Sequence, residues 1–183
     1  MTEFEKMRSS QPYSYGDAEI IASFRHAKDL CARLTSLSSL SPDYRPLMEE
    51  LIPGFPQSAE ICTPFHCDHG NGIIIGEGTY INYNCTILDG ACVRFGAYVK
   101  VGPNCQFYTP VHPHDFMQRR EPGETCFPIT IGDDAWICGG VIVCPGVTIG
   151  KRSIVAAGSV VIHDVPDDCL VAGNPAVIKK YLK

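Results

Sequence analysis

The stretch Val111-His112-Pro113-His114-Asp115 places two histidines and a carboxylate within five positions. A neutral imidazole takes up a proton close to physiological pH, which suits it to drawing a proton from a weak nucleophile. A second chemically able cluster, Cys62, His66, Cys67 and His69, offers four metal-ligating side chains within eight positions. Structural zinc sites draw paired ligands from two separate turns, and no second pair is in view. The cluster is therefore expected to be polar dressing at the mouth of a first strand layer.

The elements that position these residues keep a strict period. An aliphatic residue or cysteine recurs every six positions at Ile75, Ile81, Ile87, Val93, Val99 and Cys105, and again at Ile131, Ile137, Val143, Ile149, Val155 and Val161. The interval from Cys105 to Ile131 is not a multiple of six, so the two runs are expected to be out of phase, with His112 inside the interruption. A small or compact residue follows four positions after each beat, as at Thr79, Cys85, Ala91 and Ala97. Internal repeats decide the fold before any local signal does. Six-residue units of this kind predict a mainly β solenoid, a parallel β-helix in which each hexad is one short strand and a corner. Three hexads would close one triangular coil, with Ile75 stacked on Val93 and Ile137 on Val155 in layers about 4.8 Å apart.

Residues 1–56 have a different character and read as a helical cap. Asp17 can start a helix whose apolar positions Ile20, Ile21, Phe24, Ala27, Leu30, Cys31, Leu34 and Leu37 recur at three- and four-residue steps. A second short helix is expected over Asp43–Leu51, ended by Pro53-Gly54-Phe55-Pro56. Residues 57–183 form the solenoid, with an inserted loop at about 109–128 and a short basic tail from Ala176 to Lys183. The whole chain has 183 residues, 45% hydrophobic, which is too apolar for disorder. A formal net charge of −5 argues against nucleic acid or an anionic membrane as partner. No apolar run has the length of a membrane span and the N-terminus lacks a secretory core, so a cytoplasmic protein is expected. The ten cysteines sit on or beside hydrophobic beats and are read as reduced core filler.

Several strings carry a closer likeness. Phe127-Pro128-Ile129-Thr130-Ile131-Gly132-Asp133-Asp134-Ala135-Trp136-Ile137 resembles the maltose and galactoside O-acetyltransferases. So do Pro145-Gly146-Val147-Thr148-Ile149-Gly150, Val171-Ala172-Gly173-Asn174-Pro175-Ala176, Phe65-His66-Cys67-Asp68 and Asn82-Tyr83-Asn84-Cys85-Thr86-Ile87-Leu88-Asp89. The resemblance spans nearly the whole chain, and its combination with His112-Pro113 is the specific part. It implies a left-handed parallel β-helix with an N-terminal α-helical cap and a protruding loop, assembled as a homotrimer with sites between neighbouring subunits. It implies transfer of acetyl from acetyl-CoA to a hydroxyl of a sugar or related small molecule, with no metal. His112 matches the family's catalytic base, with Asp115 and Glu124 both open as the residue that orients it and His114 facing solvent. Asp68 and Asn82 match acceptor-binding positions, and Tyr15 and Asp17 fall near another. The matching CoA contacts are Gly139, through its backbone N–H, Ala157, Ile162, His163, Lys179 and Lys180. The chain departs from the family in having Ile162-His163 where Thr-Lys is usual and Val177 where arginine is common, which should weaken CoA binding.

Two other functions are compatible with a solenoid of this kind. A zinc carbonic anhydrase would need three histidines converging on one metal, from among His66, His69, His112, His114 and His163. A non-catalytic binding module would need none of these residues.

Overall fold

The computed structural model describes residues 1–183. Its cap holds three helices. Helix α1 (Glu3–Arg8), which the apolar pattern did not predict, starts with a reciprocal capping box between Thr2 and Glu5. Strand β1 (Tyr13–Ser14) follows. Helix α2 (Ala18–Leu34) starts at Asp17, whose side chain accepts the Glu19 N–H at 2.9 Å. Helix α3 (Tyr44–Leu51) buries Tyr44, Leu47, Met48 and Leu51. The apolar stripe of α2 divides in two. Ala27, Leu30, Cys31 and Leu34 join the main core, whereas Ile21 and Phe24 stay partly exposed beside a cavity. At Gly70, where φ is +74°, the chain passes so close to α3 that a Cβ would collide with the Leu51 carbonyl. Only glycine meets both demands at this junction of cap and solenoid.

The solenoid has three parallel faces visited in turn. The first face carries β2 (Glu60–Ile61), β5 (Tyr80–Ile81), β8 (Lys100–Val101), β13 (Trp136–Ile137), β16 (Ile154–Val155) and β18 (Cys169–Gly173). The second carries β3 (Phe65–Cys67), β6 (Cys85–Leu88), β9 (Gln106–Tyr108), β14 (Ile142–Val143) and β17 (Val160–Val161). The third carries β4 (Ile73–Ile75), β7 (Val93–Phe95), β12 (Ile129–Ile131) and β15 (Thr148–Ile149). Inward side chains at the beat positions, such as Ile81, Ile87, Ile131, Ile137 and Val143, are fully buried. Each contributes about 1.5–3 kcal/mol by leaving water.

The register corrects the expected phase. Ile137 pairs with Val155 as the repeat predicts, but Val93 pairs with Ile73, and Ile75 pairs with Phe95. In the first two coils the corner between the second and third faces is two residues longer than a hexad, at Cys67–Ile75 and again at Ile87–Phe95. The true inward series is therefore Ile75, Ile81, Ile87, Phe95, Val101 and Phe107, and Val93, Val99 and Cys105 are the compact inward residues two positions earlier. From Phe107 to Ile131 the interval is again a multiple of six, so the loop preserves phase and the shift lies at the long corners. Both kinds of position are buried and apolar here, which is why the hydrophobic pattern could not tell them apart.

In the third coil the same corner is replaced by the inserted loop. The loop has structure of its own. Strand β10 (Pro110–Val111) pairs antiparallel with β11 (Gly123–Cys126), and β11 pairs antiparallel with β1 of the cap. The C-terminal segment is also a strand, β19 (Ala176–Tyr181), antiparallel to β18. All ten cysteines are free. No helix is long and apolar enough to cross a membrane.

Candidate active site

The corner between the second and third faces carries Asp68 in one coil, Asp89 one position later in the next, and the base of the loop in the third. Asp89 is fully buried and holds the corner shut. Its Oδ1 accepts the N–H groups of Asp68 (3.1 Å) and His69 (2.8 Å), and its Oδ2 accepts that of Gly72 (3.0 Å). Arg8 of α1 binds the Asp89 and Gly90 carbonyls, tying the cap to the same corner.

Against this corner lies a cavity of about 730 Å³ between α2 and the loop. Ile20, Ile21 and Phe24 give it an apolar wall, and Tyr15, Asp68, His69, His112 and Glu124 give it polar groups. His112 stands half exposed at the end of β10, with Nε2 3.6 Å from Glu124 Oε2. Glu124 is largely buried, and its other oxygen accepts the Tyr13 hydroxyl. Burial and the neighbouring Cys126 and Glu124 raise the Tyr13 phenol above its ordinary range, so it stays a donor. Tyr15 meets the His112 ring edge-on at 6.4 Å between centroids. Asp68 is pushed up to about 7, chiefly by burial and then by the charges of Asp89 and Glu124. Its carboxyl is thus poised to give or accept a hydrogen bond near neutral pH.

Between the two carboxylates left open by sequence, the structure selects Glu124 as the neighbour of His112. Asp115 instead accepts the N–H groups of Met117 and Gln118, both at 2.9 Å, and organises the turn before Gln118–Arg120. His114 is exposed on the loop. Asp17 does not line the cavity, because its side chain caps α2. Tyr13, Asp89 and His69 as a cavity residue were not anticipated. Tyr13 is brought in by the β1–β11 pairing, for which a two-residue strand has no sequence signal.

The remaining matched residues lie elsewhere on the chain. Asn82 sits at the corner between the first and second faces, where its Oδ1 accepts the Tyr83 N–H at 2.8 Å. Gly102 stacks on Asn82 and Cys138 on Gly102, which sets Gly139 two coils further along the same corner, followed by Ala157. The Gly139 N–H makes no backbone hydrogen bond within the chain, whereas the Ala157 N–H is turned toward Cys138. Ile162 and His163 are exposed just after β17, and Lys179 and Lys180 are exposed on β19. None of these residues lines the cavity that holds His112.

Cys62, His66, Cys67 and His69 do not converge. Cys62 Sγ meets the Tyr80 hydroxyl (3.1 Å), Cys67 Sγ lies 3.7 Å from Cys31 Sγ, and His69 Nδ1 lies 3.0 Å from Ser23 Oγ. His66 points outward from β3. No three His, Cys, Asp or Glu side chains anywhere in the chain are placed to hold one metal ion.

Comparison with known proteins gives this architecture a family. Residues 128–163 match the bacterial transferase hexapeptide (six repeats) model. A Saccharomyces cerevisiae protein provisionally named an acetyltransferase is 44% identical over 158 residues, covering 84% of this chain and 81% of the relative. The chain belongs to the hexapeptide-repeat acetyltransferases. Among solved members, the hexapeptide-repeat acetyltransferase of Vibrio cholerae in complex with acetyl-CoA aligns over 100% of both chains at a TM-score of 0.93 and 42% identity. A maltose O-acetyltransferase of Clostridium difficile 630 aligns over 100% of this chain and 98% of its own, at a TM-score of 0.96 and 33% identity. The solenoid is thus the left-handed parallel β-helix of these acetyltransferases, and the cap and loop fall within the aligned length.

Proposed function

We propose that the protein transfers acetyl from acetyl-CoA to a hydroxyl of a sugar or related polyol, with His112 as general base. The observation that carries this reading is the pairing of His112 with a buried, tyrosine-held Glu124 at the wall of a cavity that also holds Asp68. The acceptor hydroxyl attacks the thioester carbonyl carbon, a C–O bond forms, and its proton passes to His112. The Glu124 carboxylate stabilises the imidazolium as it appears, as a buried carboxylate does beside a catalytic histidine. The tetrahedral oxyanion takes a hydrogen bond from the Gly139 N–H, a donor that the backbone leaves free. Collapse breaks the C–S bond, and the departing thiolate takes the proton from His112, giving an acetyl ester and CoA. No covalent enzyme intermediate is needed, which fits the structural placement of the cysteines.

The acceptor side of this chemistry and the thioester side lie at two different corners of one chain, separated by the second face. A strand with its corners spans on the order of 15 Å, too far for a hydroxyl to reach the carbonyl carbon. A neighbouring copy that brings its Asn82, Gly139 and Ala157 corner to the His112 cavity would complete the site, and a trimer closes such a head-to-tail contact. Lys179, Lys180 and His163 are the polar groups left to meet the phosphates of CoA. The reading is tested by thiol release from acetyl-CoA, screened over sugars, glycosides and amino sugars, with sedimentation of the same sample. Release that requires a hydroxylated acceptor and a trimeric mass support it. Release that is independent of acceptor, or selective for amines alone, would sink it.

A further inference from the structure

The Asp68 corner holds a second histidine that the chemistry above leaves unused. His69 is only 7% exposed. Its ring lies edge-on to both Phe4 and Phe24, at centroid separations of 6.0 and 6.3 Å. Nδ1 is 3.0 Å from Ser23 Oγ, and the backbone N–H is held by Asp89 Oδ1 at 2.8 Å. Ring and backbone are both fixed, so the remaining nitrogen keeps one position.

That nitrogen, Nε2, has no hydrogen-bond partner in the chain, yet no side-chain nitrogen or oxygen is fully buried without a partner. Nε2 is therefore reached from outside, and the opening that His69 lines is the cavity shared with Asp68, Tyr15 and His112. Burial pushes the His69 imidazolium down to about 4, so the ring meets the cavity neutral. A neutral imidazole has one donor and one acceptor nitrogen. With one engaged by Ser23, the other is free for a ligand.

We propose that His69 is an acceptor-binding residue, whose Nε2 hydrogen-bonds a second hydroxyl of the acceptor and so selects which hydroxyl is presented to His112. The proposal rests on the O-acetyltransferase reading. It narrows the acceptor to a cyclic polyol such as a pyranose. Asp68 and His69 take hydroxyls on one edge of such a ring, and Ile20, Ile21 and Phe24 cover its C–H face. A ring that only filled space between Phe4 and Phe24 would have no bearing on which hydroxyl reacts.

The test compares wild type, His69→Phe and His69→Gln with acetyl-CoA and methyl pyranosides, measuring both KM values, kcat and the position of the acetyl ester by NMR. Phe keeps the aromatic packing and removes both nitrogens. Gln keeps a neutral polar group within reach. The expected result is an acceptor KM raised about tenfold or more in His69→Phe, an acetyl-CoA KM unchanged, and a mixture of monoacetates where wild type makes one. His69→Gln recovers part of the affinity. Wild-type acceptor KM and a wild-type ester pattern in folded His69→Phe overturn the proposal and leave the transferase reading standing. If His69→Phe fails to fold, His69→Leu, which also removes both nitrogens, is judged by the same outcomes. A wild-type protein that acetylates other hydroxylated acceptors but no pyranoside contradicts this proposal alone, and one that acetylates no hydroxylated acceptor contradicts the transferase reading.

Discussion

His112 Nε2 and Glu124 Oε2 stand 3.6 Å apart, a carboxylate facing an imidazole just beyond hydrogen-bond distance. The arrangement is imposed from two sides. Strands β10 and β11 bring the residues opposite one another, and Tyr13 from the cap fixes the far oxygen of Glu124. A base whose charge appears only during reaction is best served by a partner already in place.

Glu124→Gln keeps the shape and removes the charge. It is expected to lower kcat by about 10- to 100-fold, the equivalent of about 1.4–2.7 kcal/mol, with both KM values near wild type. Tyr13→Phe, which frees the carboxylate and removes the 3.4 Å contact of the hydroxyl with Cys126 Sγ, should show a smaller loss of the same kind. Steady-state kinetics check both. An equal rise in the KM values would mean that Glu124 shapes the cavity and leaves His112 unaffected.

Asp68 makes stability depend on pH with a definite sign. Its folded-state value is raised from 3.8 to about 7. Between those limits the folded chain keeps a proton that the unfolded chain has released, so this group's contribution falls as pH rises from about 4 to 7. His69 works the other way. Its value drops from 6.5 to about 4, so the unfolded chain binds the extra proton and stability rises with pH over that window. The difference between Asp68→Asn and wild type isolates the first effect. The melting temperature of Asp68→Asn, relative to wild type, is expected to rise from about pH 4 to about pH 7 and then level off. A flat difference would show that the carboxyl is solvated.

Asp89 is expected to matter for folding more than any residue of the cavity. Removing its carboxylate strands three N–H groups of the corner, two of them in buried bonds. With charge-assisted bonds to N–H contributing about 1.5–3 kcal/mol each and not fully additive, Asp89→Ala should cost about 3–5 kcal/mol. Urea unfolding measures this directly. A cost below about 1 kcal/mol would mean that water enters the corner and replaces the carboxylate.

The solenoid was legible because a period of six repeated over many coils averages out local exceptions. Its phase was not. Val93, Val99 and Cys105 look like the beat but stand two positions before it, and only strand register reveals the long corners at Asp68 and Asp89. The place of the candidate site was legible because His112 breaks the rhythm. Its surroundings were less so. Asp115 is nearer to His112 in sequence, yet the antiparallel turn of the loop returns Glu124 to face it. Tyr13 and His69 reach the cavity through cap contacts that connect residues more than forty positions apart, such as His69 with Ser23. Asp17 shows the converse. Its family match suggested a ligand contact, while its position before an amphipathic run already specified a helix cap.

We propose that His112 draws the proton from an acceptor hydroxyl during acetyl transfer. The most direct measurement is acceptor-dependent thiol release by His112→Ala, compared with wild type at saturating acetyl-CoA. A loss of at least about 100-fold in kcat is expected, the scale of a general base, with acetyl-CoA binding retained. A rate equal to that of wild type would contradict it.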